Sequence, residues 1–150
     1  MYLIDGNNLI GHTKSISYED PRARQILLDR LGPFLTLKRR KATVVFYGAT
    51  ESLRKGSLIQ LVFAGPASNA DEIIRRRVEH LKSRRGLCVV SSDNAVYGYA
   101  RSCGVEALKC HEFNRLLREV PEGEPEIRDA AAGDLIIRHW LRYFGEDDGA

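Results

Sequence analysis

Short apolar runs separated by segments of helical character constrain this chain most. The runs are "MYLI", "ATVVFYG", "LIQLVFAG", "LCVVSS" and "VEALKC". The second and third lack strict in–out alternation, as strands do when helices cover both faces of a parallel sheet. Between the runs lie "PRARQILLDRLGPFLTLK", "NADEIIRRRVEHLK", "NAVYGYARSCG" and "HEFNRLLREV". In the first, Ile26, Leu27, Leu31, Leu35 and Leu37 make an apolar side, with Pro21 suited to the first turn behind Asp20 and Gly32-Pro33 expected to end or kink the helix. In the second, Ala70, Ile74, Val78 and Leu81 share a face, Ser68 or Asn69 can cap it, and Gly86 ends it. Such alternation predicts an α/β fold with a central parallel sheet in a three-layer arrangement and right-handed crossovers.

A chain of 150 residues suits one domain with a substantial core. "PEGEPE" reads as a break. The expected organisation is a domain over 1–120, a linker or exposed loop over 121–127, a docked helix over 128–144 and an acidic tail over 145–150. With 43% hydrophobic and 29% charged residues the composition is that of an ordinary globular protein. No apolar stretch is long enough to span a bilayer, and no basic segment precedes the first apolar run. Cys88, Cys103 and Cys110 form no C-x-x-C pair and read as reduced, structural residues. An intracellular, cytoplasmic location is expected.

The chemistry-bearing signal is where three acids fall. Asp5 ends the first apolar run and opens the polar "DGNN". Asp93 ends the fourth run, and Asp71 opens the helix before it. In open α/β sheets ligands gather at the carboxyl ends of strands. If the first and fourth strands are neighbours, Asp5 and Asp93 are about 5 Å apart at the strand level. Converging carboxylates repel each other, and a divalent cation relieves the repulsion. Oxygen ligands beside a phosphate suit Mg²⁺ or Mn²⁺. Asn7, Asn8 and Asn94 are placed to hold water or substrate oxygens, and Glu72 is a weaker ligand candidate. Each acid also has a plain structural role open to it: an Asx turn at Asp5, a favourable helix-dipole contact at Asp71, a helix cap at Asp93.

Other chemistries lack their residues. "GATESLRKGS" is not a P-loop, and neither G-x-G-x-x-G nor G-x-S-x-G occurs. The histidines are scattered, with His12 a minor candidate near the first loop. Tyr97 and Tyr99 belong to the core or stack on a base. The net charge is only +3, but Lys38, Arg39 and Arg40 form one basic run, and Arg75 and Arg76 belong to another. Basic runs meet phosphates or simply face solvent.

"YLIDGNNLI", "ADEII", "VVSSD" and "HEF", in that order, resemble the YacP-like NYN domains, relatives of PIN-domain nucleases. The resemblance covers roughly residues 1–120. It implies a central sheet of strand order 3-2-1-4-5 and a metal-dependent endoribonuclease acting on single-stranded RNA, including mRNA on the ribosome. By position it implies Asp5, Asp71 and Asp93 as metal-holding catalytic residues, with Asn8 matching the asparagine of the "DGYNLI" opening. Asn7 replaces the usual tyrosine there. The fourth acid of PIN-type sites has no counterpart beyond Glu72, with Asn94 a neutral stand-in. Asn7, Asn94, Lys38, Arg39, Arg40, Arg75 and Arg76 are then expected RNA contacts. An inactive RNA-binding or ribosome-associated module and a small-substrate phosphatase are the alternatives.

Overall fold

A computed structural model describes residues 1–66, 68–81 and 85–120. Strands β1 (Tyr2–Asp5), β2 (Ala42–Phe46), β3 (Ile59–Phe63), β4 (Cys88–Val90) and β5 (Glu106–Leu108) form one parallel sheet in the order β3-β2-β1-β4-β5. Every pairing is parallel. The anticipated α/β architecture and strand order are therefore observed. Asp5 pairs with Val45, and Ile4 pairs with Val90. The register thus sets Asp5 level with Ser91, just past the end of β4.

The helices are α1 (Gly6–Gly11), α2 (Ala23–Lys38), α3 (Ala70–His80), α4 (Asn94–Ser102) and α5 (Cys110–Arg118). They divide between the two faces of the sheet. On one face, Leu3, Val45 and Val89 pack with Ile74 and Val78 of α3 and with Val96 and Ala100 of α4. Ala70 and Leu81 add partly buried cover to that cluster. On the other face, Tyr2 meets Phe34 of α2 and Phe113 of α5. Their three ring centroids are 5.3–5.7 Å apart in tilted and edge-on pairs, the geometry aromatic quadrupoles favour. Adjacent residues Tyr2 and Leu3 thus serve opposite layers, as the two-residue period of a strand requires.

Two local expectations are corrected. The "DGNN" segment is not a polar loop: Gly6 begins α1 directly after β1. Leu9 and Ile10 are buried, so tertiary packing stabilises a helix too short to form alone. Nor does Gly32-Pro33 end α2, which runs on to Lys38. Proline removes one backbone donor there, but Leu31, Phe34 and Leu35, on either side, are fully buried and hold the continuation in place. The helix ends instead at Arg39, whose left-handed backbone (φ 55°) turns the chain toward β2.

Met1–Leu117 forms one compact unit and Arg118–Ala150 a second. The expected linker, helix and tail over 121–150 lie outside the described residues. Among the described residues no helix is long and apolar enough to cross a membrane.

Candidate active site

β1 delivers Asp5 to the carboxyl edge of the sheet, and Gly6 lets the chain turn at once into α1. A Cβ at Gly6 would lie 2.7 Å from Phe46 Cδ1 and 2.9 Å from Val44 Cγ1, closer than carbon atoms pack. Glycine is required here by the approach of α1 to β2.

Asp5 is only 6% exposed. Ser91 Oγ donates to its Oδ2 at 3.0 Å. Burial nevertheless pushes the Asp5 pKa up from 3.8 to about 6. The Ser91 hydrogen bond and the nearby Asn8 backbone N–H oppose that rise, and the negative charges of Asp93 and Asp71 add to it. The charges of both other acids therefore reach Asp5.

Asp93 is joined to Asp5 through Ser91. The buried Ser91 hydroxyl accepts the Asp93 N–H at 3.1 Å while donating to Asp5. Asp93 also caps α4, its Oδ1 accepting from Ala95 N at 2.8 Å and Val96 N at 3.2 Å. Asp71 lies in the first turn of α3, where Asn69 caps the helix by accepting from Glu72 N at 2.8 Å. Its Oδ1 accepts from Arg75 Nε at 3.1 Å in an (i, i+4) ion pair, and its side chain is 38% exposed. The structural roles open to Asp71 and Asp93 are thus realised.

Among the described residues no three His, Cys, Asp or Glu side chains gather as a preformed metal cluster. The donor set still fits a hard cation. It is all oxygen, and the charges acting on buried Asp5 are those of two further carboxylates. Mg²⁺ in particular keeps several waters and is held through one or two carboxylates together with substrate phosphate.

The remaining candidates divide by position. Asn8 Oδ1 accepts from Ser92 N at 2.8 Å and from the Cys110 thiol at 3.2 Å, and it lies 3.4 Å from Ser91 Oγ. The asparagine thus braces α1 against the end of β4 and the start of α5. Asn94 accepts from Lys109 Nζ at 3.0 Å, and that ammonium sits 4.2 Å from the centre of the Tyr97 ring. Asn7 Oδ1 accepts from Tyr47 N at 2.9 Å. Glu72 is engaged by Ser68 and Arg76, one position round the helix from Asp71. The Arg75 guanidinium lies over Tyr99, whose hydroxyl donates to Glu79 and whose ring packs on the core. His12 ties its ring to the Asn8 carbonyl at the end of α1.

Lys38, Arg39 and Arg40 are not brought to the acids. They connect α2 to the start of β2, and Arg40 lies over the ring of Tyr2, the first residue of β1. That is the amino edge of the sheet, opposite Asp5. Ser91, level with Asp5, and Lys109, directly after β5, also stand at the carboxyl edge, beyond the candidates that the sequence singles out. The signal for Ser91 lay in "VVSSD", since a residue two before Asp93 falls level with Asp5 once the two strands pair.

The sequence model of the YacP-like NYN domain family matches residues 2–132. Among solved structures the chain is similar to Rae1 (YacP) from Bacillus subtilis, with a TM-score of 0.70 and 18% identity over 100% of this chain and 98% of that one. A tryptophan-to-leucine variant of the same protein gives 0.67 and 19% over 99% of both chains. At such identities the likeness is one of fold. No curated protein sequence matches.

Proposed function

The chain belongs to the YacP-like NYN domain family, and on that premise we propose that it is a divalent-metal-dependent endoribonuclease of single-stranded RNA. The observation that carries this reading is Asp5: a buried carboxylate at the end of a central strand, its pKa raised to about 6, feeling two further acids and braced by Ser91. A carboxylate so placed is costly to the fold and suited to a cation. Perturbed acids of this kind concentrate at functional sites.

Asp5, Asp71 and Asp93 would hold Mg²⁺ or Mn²⁺. When bound, such an ion lowers the pKa of a coordinated water and neutralises charge building on a phosphodiester. The chain's own residues supply the positioning. Ser91 fixes Oδ2 of Asp5 and the backbone of Asp93 with one hydroxyl, which ties the two strand ends together. Asn8 holds the helix that follows Asp5 against the strand that precedes Asp93. Arg75 orients Asp71 through their ion pair and would offer a positive charge to a substrate phosphate held there. Hydrolysis would leave a 3′ hydroxyl and a 5′ phosphate. Action on mRNA, including mRNA on the ribosome, and a cytoplasmic setting belong to the same reading.

A second reading is an RNA-binding module without turnover. It is favoured by the ion pair that occupies Asp71 and the cap that occupies Asp93. Cleavage of a single-stranded oligoribonucleotide separates the two. Wild-type protein should cleave with Mg²⁺ or Mn²⁺, and EDTA or Asp5→Asn should abolish cleavage. Tight RNA binding that is indifferent to EDTA, with no cleavage under any metal, would establish the binding module instead.

A further inference from the structure

Beside the acids, on the β2 side of β1, the structure has a cleft of about 250 Å³ that the proposed chemistry does not use. It is bordered by Asn7, Tyr18, Arg24, Tyr47, Glu19 and Glu51. Apart from Met1, Tyr18 and Tyr47 are the exposed large apolar side chains among the described residues, at 50% and 46%. Their hydroxyls are 2.8 Å apart. They arrive from distant segments and are held by groups that are themselves fixed. Asn7 accepts the Tyr47 N–H through Oδ1 at 2.9 Å. Arg24 donates to the Tyr47 carbonyl at 2.8 Å, and its guanidinium lies over the Phe46 and Tyr47 rings.

We propose that this cleft is a base-binding subsite, in which Tyr18 and Tyr47 stack on one nucleobase of the RNA strand whose phosphate lies at Asp5. The inference rests on the nuclease reading for its placement and extends it to substrate recognition. Three observations converge. Asn7, which holds the Tyr47 backbone, stands two residues from Asp5, and Tyr47 stands two residues beyond Val45, the strand partner of Asp5. The subsite and the acids therefore share one sheet edge. Next, the rim charge disfavours a phosphate: Glu19 and Glu51 are acidic, and Arg24 is already engaged with rings and a carbonyl. A neutral ring with N–H groups on its edge suits tyrosine faces beside carboxylate acceptors. Finally, the volume lies below the roughly 300–1,000 Å³ of drug-sized ligand sites, so it takes a single ring system. Paired exposed tyrosines anchored from behind also lose little entropy on stacking, which favours recognition over mere adhesion.

The test is an abasic scan in EDTA, which reads binding without cleavage. Wild-type protein is titrated with a single-stranded oligoribonucleotide and with versions lacking one base at successive positions. One position should stand out, with affinity falling about 5- to 150-fold when its base is absent. In Tyr18→Ala and Tyr47→Ala that position should lose its distinction, while affinity for the intact strand falls to the abasic level. Tyr18→Phe and Tyr47→Phe keep the rings but break the hydroxyl contact, so they should retain the wild-type profile. If the phenylalanine variants lose binding as the alanine variants do, the tyrosines act as a tether and the subsite is overturned. A flat abasic profile in wild type overturns it as well. Cleavage is scored separately: failure of wild type to cleave with metal sinks the nuclease reading, whereas cleavage with a KM unmoved by Tyr47→Ala sinks the subsite alone.

Discussion

At the scale of single residues, Asp5 concentrates an opposition between folding and chemistry. Its pKa is 3.8 before burial and about 6 in the fold. Between those values the folded protein keeps a proton that the unfolded chain gives up, so Asp5 makes stability fall as pH rises through this window. Above about pH 6 the cost is full, on the order of 3 kcal/mol. Asp5→Asn removes the ionisation. The variant should therefore melt higher than wild type at pH 7.5 and lose that advantage by pH 4. Adding Mn²⁺ at pH 7.5 should raise the melting temperature of wild type and leave Asp5→Asn nearly unchanged, because only wild type regains a counter-charge. Paired thermal melts across pH, with and without metal, check this. A variant less stable than wild type at pH 7.5 would mean that the carboxylate is already compensated within the protein. Ser91 shows why such a site is hard to read from one strand of text. Its hydroxyl donates to one acid and accepts from the backbone of another, 86 positions along the chain from Asp5. That role exists only once β1 and β4 are side by side.

At the scale of elements, what was legible followed from patterns that survive without partners. Buried parallel strands announce themselves as apolar runs, and α3 carries its cap, its acidic first turn and its apolar face within one short segment. The failures lie where long-range packing overrides local preference. A six-residue helix containing two glycines and two asparagines forms because Leu9 and Ile10 are buried beneath it, and α2 passes through Pro33 because its neighbours are. The Tyr18–Tyr47 pairing was invisible for the same reason, since nothing local joins a loop before α2 to the residue after β2. The β1–α1 junction is the element on which the site depends. Gly6→Ala should cost about 1–3 kcal/mol through overlap with Phe46 and Val44. It should also depress cleavage more than the lost stability explains, because relief of the overlap lifts α1 and carries Asn7 and Asn8 with it. Cleavage rates measured well below the melting temperature of the variant separate the two effects. Wild-type rates in a variant destabilised by that amount would show that the junction yields elsewhere.

At the scale of the molecule, a parallel sheet has two unlike edges, and this chain distributes its charge between them. The carboxyl edge holds Asp5 and Asp93, the tyrosine cleft on the β2 side, and Lys109 after β5 on the other side. Lys38 and Arg40 lie at the amino edge, about 10 Å away along β1. With a net charge of only +3 there is no broad field to bind RNA from every direction, so position decides which cations matter. A strand crossing the carboxyl edge would run from the tyrosines past the acids toward Lys109. Replacing Lys109 with Ala should therefore weaken RNA binding and make the dependence of log K on log salt shallower by about 0.7, the loss of one contact to a single-stranded phosphate. Replacing Lys38 and Arg40 together with Ala removes twice the charge, yet it should leave that slope and the cleavage of a short oligoribonucleotide unchanged. Binding titrations over a series of salt concentrations measure both slopes. If the double replacement flattens the slope and Lys109→Ala does not, the RNA follows the amino edge, away from Asp5, and neither the acids nor the tyrosine cleft can be where it is held.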